Sequence, residues 1–429
     1  LNTTAGGTAS HSEGESNLAF GFGSHAEGGS NLASGLYSHA EGFTTVASNF
    51  TAHSEGQNTV ASGNGAHAEG GITLASGLQS HAEGNSTSAI GLFCHAEGQG
   101  TTATVSSSHA EGLFTQAIGF ASHAEGRDTI ASGVYSHAEG ANTTATGGVS
   151  HAEGTGTYAS GLYSHAEGEG CTASGLGSFS TASGAFSHAE GVQTLASGIG
   201  SHAEGLSTQA TDAATHAEGN STQATNVWAH AEGFLSIASG IYSHAEGVSF
   251  SSGQGSHSEG VSTSAIGTAA HAEGQGCTAA GVASHAEGQG TLANTFSHSE
   301  GFNSVASGIC SHAQGFTTTA QGQFSTAMGD TTVAFATLSV AEGSNTISDQ
   351  EGAHIFGLFG WTAPGTTGLT GTANNGGTYS LQLAGGAAAP TNPGDGISVI
   401  ARTAVFGTPQ PIGEIITDYF TSASADYAE

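Results

Sequence analysis

Small apolar residues alternate with polar ones along most of this chain in a strict period of 14 residues. Twenty-two of its 23 histidines lie in a pentapeptide close to S/A-H-A/S-E-G, and from His11 to His165 the spacing is always 14. A full repeat follows S-H-A-E-G-x-x-T-x-A-S-G-x-x, as in residues 38–51. Helical hairpins and propeller blades need more than about 20 residues per unit. The pattern therefore predicts one coil of a narrow parallel β-solenoid, with two short strands and two tight turns per coil.

Strand alternation predicts which side chains face inward. In S-H-A-E-G, His and Glu fall on one side of the strand and Ser, Ala and Gly on the other. A 14-residue coil encloses too little space for an ionised Glu, so we expect His and Glu outside and the small residues inside. The nearly fixed Thr and Ala of the second strand are also expected to be packed. The variable residue between them, such as Val46 or Leu74, is expected to face outward.

The spacing between repeat histidines departs from 14 residues at three places, and after the last of them the motif becomes degenerate. An interval of 23 residues precedes His188, with Phe179 in the His position of a truncated coil. Intervals of 13 precede His257 and His298, and we expect the residue to be lost in the turn or strand that follows HAEG. Degenerate copies then continue at 14-residue steps. We assign 1–357 to the solenoid rod, on the order of 120 Å long at about 4.8 Å per coil, and 358–425 to a small all-β region serving as junction, tip or stalk.

Composition excludes several classes of partner. Lys and Arg together number 2, and the formal net charge is -32. A chain with almost no cations cannot neutralise phosphates, so we expect no nucleic-acid binding and no attraction to anionic membranes. No apolar run reaches the length of a membrane span, so no insertion is expected. The four cysteines follow no disulfide pattern and are expected to be thiols. No cofactor is predicted.

The outward His and Glu form what we call the His/Glu ladder. Stacked coils place one Glu every ~4.8 Å, and each neighbouring pair of carboxylates repels by about 0.9 kcal/mol even in water. We expect the adjacent histidines to gain protons and compensate this repulsion. Three hypotheses stay open: a structural ion-pair seam between neighbouring chains, a metal array, and merely solvated surface. The predicted ladder is represented by His39, Glu41, His53, Glu55, His67, Glu69, His81, Glu83, His137 and Glu139.

Residues 73–84, TLASGxxSHAEG in pattern, resemble the repeat of trimeric autotransporter adhesin heads. The segments Thr87–Gly91 and Thr263–Gly267, both TSAIG, are nearest to that family's SVAIG-type motif. The resemblance covers about four fifths of the chain. It implies a left-handed parallel β-roll in which three chains surround one axis. The SHAEG variant itself is similar to repeat proteins of spore-forming bacteria and their phages.

A second resemblance concerns the last six residues. Residues 424–429, SADYAE, resemble the start of the intramolecular-chaperone autoprocessing domain of phage neck-appendage proteins. The resemblance implies one self-cleavage between Ala425 and Asp426, with Asp426 and Glu429 in the catalytic motif. Only 426–429 would belong to that domain, and the rest of it is not present in this sequence.

These observations favour a structural function over an enzymatic one. Ser and His are adjacent in most repeats, but no acid is placed to orient a triad. The leading hypothesis is a homotrimeric fibre or appendage on the extracellular surface of a phage, spore or bacterium, adhesive at its ends. Its partners would be copies of itself, in the trimer and end to end in a filament, and an unknown surface receptor. The alternative is an ice- or crystal-surface-binding solenoid that uses its file of threonines. A third hypothesis is a fibre that binds or cleaves polysaccharide.

Overall fold

The computed structural model describes residues 2–170, 172–173, 185–358, 370–372, 378–382, 398–405 and 408–411. It divides into residues 1–228 and 229–429, which are described separately. The described residues contain strands and turns and no α-helix. Accordingly, none of them forms a helix that is long and apolar enough to span a membrane.

In the first unit each coil has a long strand that begins at the repeat His and a short strand of two residues. The long strands are His11–Glu15, His25–Gly29, His39–Phe43, His53–Gln57, His67–Gly71, His81–Asn85, His95–Gln99, His109–Leu113, His123–Arg127, His137–Ala138, His151–Thr155, His165–Glu169, His188–Val192, His202–Leu206 and His216–Asn220. The short strands are Thr4–Ala5, Leu18–Ala19, Leu32–Ala33, Val46–Ala47, Val60–Ala61, Leu74–Ala75, Ser88–Ala89, Thr102–Ala103, Gln116–Ala117, Ile130–Ala131, Thr144–Ala145, Tyr158–Ala159, Thr172–Ala173, Leu195–Ala196, Gln209–Ala210 and Gln223–Ala224.

Every strand pairs in parallel with the equivalent strand one coil later. His39 lies opposite His53, and Val46 lies opposite Val60. The backbone N–H of His39 donates to the carbonyl of Ala52 at 2.9 Å, one coil along the chain. This in-register pairing confirms the predicted all-β parallel β-solenoid. Phe179, which the sequence places in the truncated coil, lies outside the described residues.

The second unit repeats this arrangement. Its long strands are His230–Phe234, His271–Gln275, His285–Gln289, His298–Phe302, His312–Phe316, Thr326–Asp330, Val340–Ser344 and His354–Leu358, its short strands are Ile237–Ala238, Thr278–Ala279, Leu292–Ala293, Val305–Ala306, Thr319–Ala320, Val333–Ala334 and Ile347–Ser348, and its two continuous strands are His244–Ser251 and His257–Ala265. The strands that begin at Thr326 and Val340 pair in the same register as the histidine coils before them. The period therefore persists after the histidine is lost.

The two 13-residue intervals lose their residue at different places. Before His257 the long and short strands merge into His244–Ser251, and the register with the next coil shifts between Val248 and Ser249. The loss after HAEG is confirmed there. Before His298 the prediction is wrong, because both strands keep their lengths and the second turn is shorter by one residue. Asn294, directly after the short strand, accepts the N–H of Ser297 at 3.0 Å.

Further strands follow the last coil. Thr370–Thr372 pairs in parallel with His354–Leu358. Thr378–Gln382, Ser398–Val405 and Thr408–Pro411 form a separate three-stranded antiparallel sheet. The boundary predicted at residue 357/358 stays a prediction.

The interior is filled by small residues, as predicted. Ala40, Thr45 and Ala47 are fully buried, and Ser38 is 1 % exposed. The two hydroxyl files differ in how they are satisfied. Ser38 Oγ donates to the carbonyl of Gly35 at 2.7 Å, and many of the equivalent serines repeat this contact. Most buried threonine hydroxyls, including that of Thr45, have no hydrogen-bond partner.

The glycine of HAEG is not an interior residue, contrary to expectation. Gly42 is half-buried and has φ +112°, a backbone conformation that residues other than glycine rarely adopt. A Cβ at this position would lie 2.2 Å from the carbonyl oxygen of Gly56 in the next coil. Glycine is therefore required where the long strand bends and adjacent coils stack most closely.

The unpaired threonine hydroxyls predict a stabilising substitution. Thr73, Thr101 and Thr129 are buried, and their Oγ1 atoms have no partner. Each change to Val keeps the shape and removes an unsatisfied polar group, so we expect a gain of about 1 kcal/mol per site in the free energy of unfolding. Urea denaturation of T73V/T101V/T129V measures it.

The matched control uses the satisfied hydroxyls of the opposite file. Ser80 and Ser136 donate to Gly77 and Gly133, each at 2.8 Å. S80A/S136A removes these bonds, and we expect a loss of about 1 kcal/mol per site. Equal losses in both variants would show that the threonine hydroxyls are stabilising after all.

Candidate functional site

The His/Glu ladder occupies the outward face of the long strands. In-register pairing places His39, His53, His67 and His81 in one file, and the glutamates two residues after them in a parallel file. His137 and Glu139 lie at the same positions of a later coil, and His137 pairs with His123 and His151. The side chains of His67 and Glu69 are 35 % and 38 % exposed. The ladder is thus half-buried and accessible to water along one edge.

The histidine rings stack face to face. From His39 to His123 successive ring centroids lie 4.6–4.8 Å apart, with ring planes within 6° of each other. The spacing is that of neighbouring strands, so the rings have no freedom to separate while the backbones stay paired. Sequence reasoning predicted the file but did not anticipate this continuous stack.

Each histidine faces the carboxylate of its own coil. His53 Nε2 lies 3.3 Å from Glu55 Oε2, and the distance is 3.4 Å between His67 and Glu69. These contacts lie within one chain. They do not meet hydrogen-bond geometry, and the Nε2 atoms of His53 and His67 are buried without a hydrogen-bond partner. A role of the ladder between chains stays a prediction.

The predicted gain of protons by the histidines is wrong in direction. Burial, followed by repulsion from the neighbouring imidazole, lowers the pKa of His53, His67 and His109 below 6.5. The carboxylates act in the opposite direction but more weakly. The pKa is lowered in the same way at His39, His95, His123, His151, His188, His202, His257, His285 and His298. Neutral imidazoles leave the negative charge of the glutamate file in place.

Two carboxylates show the effect of their stacking. Burial and a hydrogen bond with Glu139 raise the pKa of Glu125, and burial and repulsion by Glu167 raise that of Glu153. A carboxylate that is crowded by its neighbours holds its proton to higher pH. The glutamate file is therefore a surface that favours any species carrying positive charge.

The threonine file cannot serve as an ice- or crystal-binding surface. Thr45, Thr59 and Thr87 are fully buried in the roll, so no external lattice can contact them. That hypothesis is wrong because the threonine directly before the short strand points into the interior, and the variable residue of that strand is the one that faces solvent. Among the described cysteines, Cys94, Cys277 and Cys310 are free thiols, as predicted.

An apolar surface lies on the short strands. Leu18, Leu32, Val46, Val60 and Leu74 pair in register, face outward and are half-buried; we call them the short-strand file. Sequence reasoning placed these positions outside but attached no importance to them. Their signal was available, because five successive coils carry Leu or Val at the variable position.

Large apolar side chains also line the turn before many of the long strands. Leu36 and Tyr37 are 53 % and 54 % exposed, and Leu92 and Phe93 repeat the arrangement. Phe22 and Tyr37 meet edge to face with centroids 5.5 Å apart. This turn ridge was missed because its two positions vary in identity from coil to coil.

Comparison with known protein families bears on these coils. Residues 124–150 and 320–346 match the YadA head domain repeat. The second segment spans the coils that begin at Thr326 and Val340, where the histidine is absent. The similarity therefore lies in the coil and does not depend on the His/Glu ladder. A comparison with curated proteins gives no match. Ala425, Asp426 and Glu429 lie outside the described residues, and self-cleavage stays a prediction.

The lowered histidine pKa values predict how stability depends on pH. An imidazole whose pKa is lower when folded than when unfolded binds fewer protons in the folded state just below pH 6.5. We therefore expect the free energy of unfolding to fall as the pH drops from 7.5 to 5.5 in a buffer that contains a chelator. Urea midpoints at fixed protein concentration measure it. A midpoint that rises toward pH 5.5 would restore the hypothesis that protonated histidines stabilise the ladder.

Proposed function

We propose that this protein is a homotrimeric structural fibre, part of an appendage exposed on the surface of a bacterium, spore or phage, with adhesive ends. The observation that carries the proposal is the YadA head domain repeat, which lies on in-register coils of a parallel β-solenoid. A solenoid of this kind presents long, regular side surfaces. Such surfaces suit lateral association of identical chains better than the binding of a small molecule.

The short-strand file supports association between chains. It is a flat, continuous row of Leu and Val on a sheet face, and flat apolar sheet faces pack against one another in proteins. Exposed contiguous apolar surface on a protein otherwise rich in polar side chains marks an interaction site. Three chains that share an axis would each bury this file against the other two.

The turn ridge provides a second apolar surface for the same purpose. Its side chains project from the corner of each coil, beside the short strand of the same chain. Aromatic residues such as Tyr37, Tyr135 and Tyr242 are enriched at protein interfaces. Self-association that covers both surfaces explains why so many large apolar side chains are exposed in a single chain.

Sedimentation equilibrium at pH 7 and near pH 5 tests the proposal. We expect a mass of three chains, about three times the 41.8 kDa of one, because the apolar files need partners. A monomer at both pH values would overturn the trimer and with it the fibre function. An adhesive role would be tested next, by binding of the trimer to bacterial and host-cell surfaces.

Substitutions in the short-strand file locate the interface. V46K/V60K places two cations per chain, and therefore six per trimer, in the surface that we expect to be shared. Repulsion between like charges should weaken the trimer by about a hundredfold or more. The control Q57K/N85K adds the same charge at exposed ends of long strands and should leave the trimer intact. Equal effects of both variants would place the interface elsewhere.

A further inference from the structure

The geometry points to a function for the His/Glu ladder that does not depend on self-association. We propose that it is a row of binding sites for borderline divalent cations of the Zn²⁺ class. Each site consists of Nε2 of one histidine, a carboxylate oxygen of the glutamate two residues later, and Nε2 of the histidine one coil on. All three ligands belong to one chain.

The ligand atoms are close enough to share an ion. In the groups His53–Glu55–His67 and His67–Glu69–His81, the three atoms lie within 4.8 Å of one another. Three atoms so placed have a common point no farther than about 2.8 Å from each, and Zn²⁺ bonds to His nitrogen and carboxylate oxygen are roughly 2.0–2.2 Å long. Side-chain movements of less than about 1 Å therefore bring the three atoms within bonding distance, and rotation of the stacked rings aims both nitrogen lone pairs at the ion. The same grouping continues to His123, and seven further groups of at least three His, Cys, Asp or Glu side chains occur among the described residues.

The imidazole nitrogens provide a second, independent observation. Nε2 of His53, His67 and His81 is buried and has no hydrogen-bond partner. A buried polar atom without a partner is unfavourable unless something satisfies it. A neutral imidazole nitrogen is a ligand for Zn²⁺, Cu²⁺ and Ni²⁺, and Nε2 of His53 lies 3.3 Å from the carboxylate of the same coil. A cation between the two would satisfy the nitrogen and the charge of the glutamate together.

The decayed coils show that the ladder is not needed to build the solenoid. Thr326 and Val340 occupy the histidine position, and Met328 occupies the glutamate position. These coils nevertheless keep the same strands and the same parallel register. The fold alone therefore does not require His and Glu at these positions. Their repetition through more than twenty coils points to a chemical role.

The chemistry also fixes the stoichiometry. Neighbouring groups share a histidine, and one Nε2 has a single lone pair, so two adjacent groups cannot both hold an ion. Full occupancy is one ion for every two coils, with ions spaced roughly 9.5 Å apart. One divalent cation per two coils carries the charge of the two glutamates in those coils. One cation for every two coils thus neutralises the negative charge of the glutamate file, which neutral histidines cannot compensate.

The experiment is a Zn²⁺ titration of the full chain after removal of metal with a chelator. Equilibrium dialysis should give about one Zn²⁺ per two repeat histidines, and Mg²⁺ at the same concentration should not bind. With Cu²⁺ as the probe, electron paramagnetic resonance should show coupling between ions at the predicted spacing. One Zn²⁺ or fewer per chain would overturn the proposal.

Variants then assign the ligands. H67Q/H95Q/H123Q interrupts every group from His53 to His123 and should remove about three Zn²⁺ per chain. E55Q/E83Q/E111Q should also weaken binding, because it removes carboxylates while the rings stay stacked. The control Q57N/N85Q/Q99N changes exposed amides on the same strands and should bind as the parent does. Circular dichroism confirms that each variant is folded. Unchanged Zn²⁺ binding by the histidine variant would overturn the assignment.

The test of Zn²⁺ binding can be distinguished from the test of the proposed trimeric fibre. A monomer that binds Zn²⁺ with the predicted stoichiometry would refute the trimer and support the cation sites. A trimer that binds no Zn²⁺ would do the reverse. Sedimentation of the same samples with and without Zn²⁺ distinguishes these cases.

Discussion

In-register parallel pairing of one coil with the next is the constraint on which the rest of the structure depends. The N–H of His39 donates to Ala52, and that of His53 donates to Ala66, so each coil is held by the backbone of its successor. Because the pairing has no offset, each side chain stacks on the side chain at the same repeat position of the next coil. Alanine stacks on alanine in the interior and histidine on histidine outside.

This constraint explains the narrow choice of interior residues. The interior of the roll holds mainly Ala, Ser and Thr. These side chains fill the space well, but most of the threonine hydroxyls have no hydrogen-bond partner. Asn17 and Asn31 occupy the threonine position in the first coils, where the Asn31 N–H donates to Asn17 Oδ1 at 2.8 Å. The threonines that follow keep the volume and lose that contact. The interior is thus specified mainly by size and by the glycine at each close approach.

The same stacking creates an electrostatic conflict on the outer face. Burial of the imidazoles, followed by their mutual repulsion at strand spacing when protonated, lowers the pKa of residues such as His67. The carboxylates beside them are then left without the cations that Lys or Arg would supply. The short-strand file and the turn ridge are apolar surfaces that likewise stay partly exposed to water in the single chain. The cation sites and the self-association that we propose would meet these separate needs, and each could hold without the other.

The sequence by itself determined the architecture, because a 14-residue period with small residues at fixed positions fits one coil of a narrow parallel β-solenoid. It also determined which positions face outward, since alternation in a strand is a local property; Ser38, Ala40 and Thr45 are buried as expected. Tertiary structure alone decided what stacking does to those positions. The charge state of the histidines, the unsatisfied hydroxyls of the threonine file and the place of the lost residue before His298 all depend on contacts between coils. A pattern read along one chain contains no distances between neighbouring coils, and these properties are set by those distances.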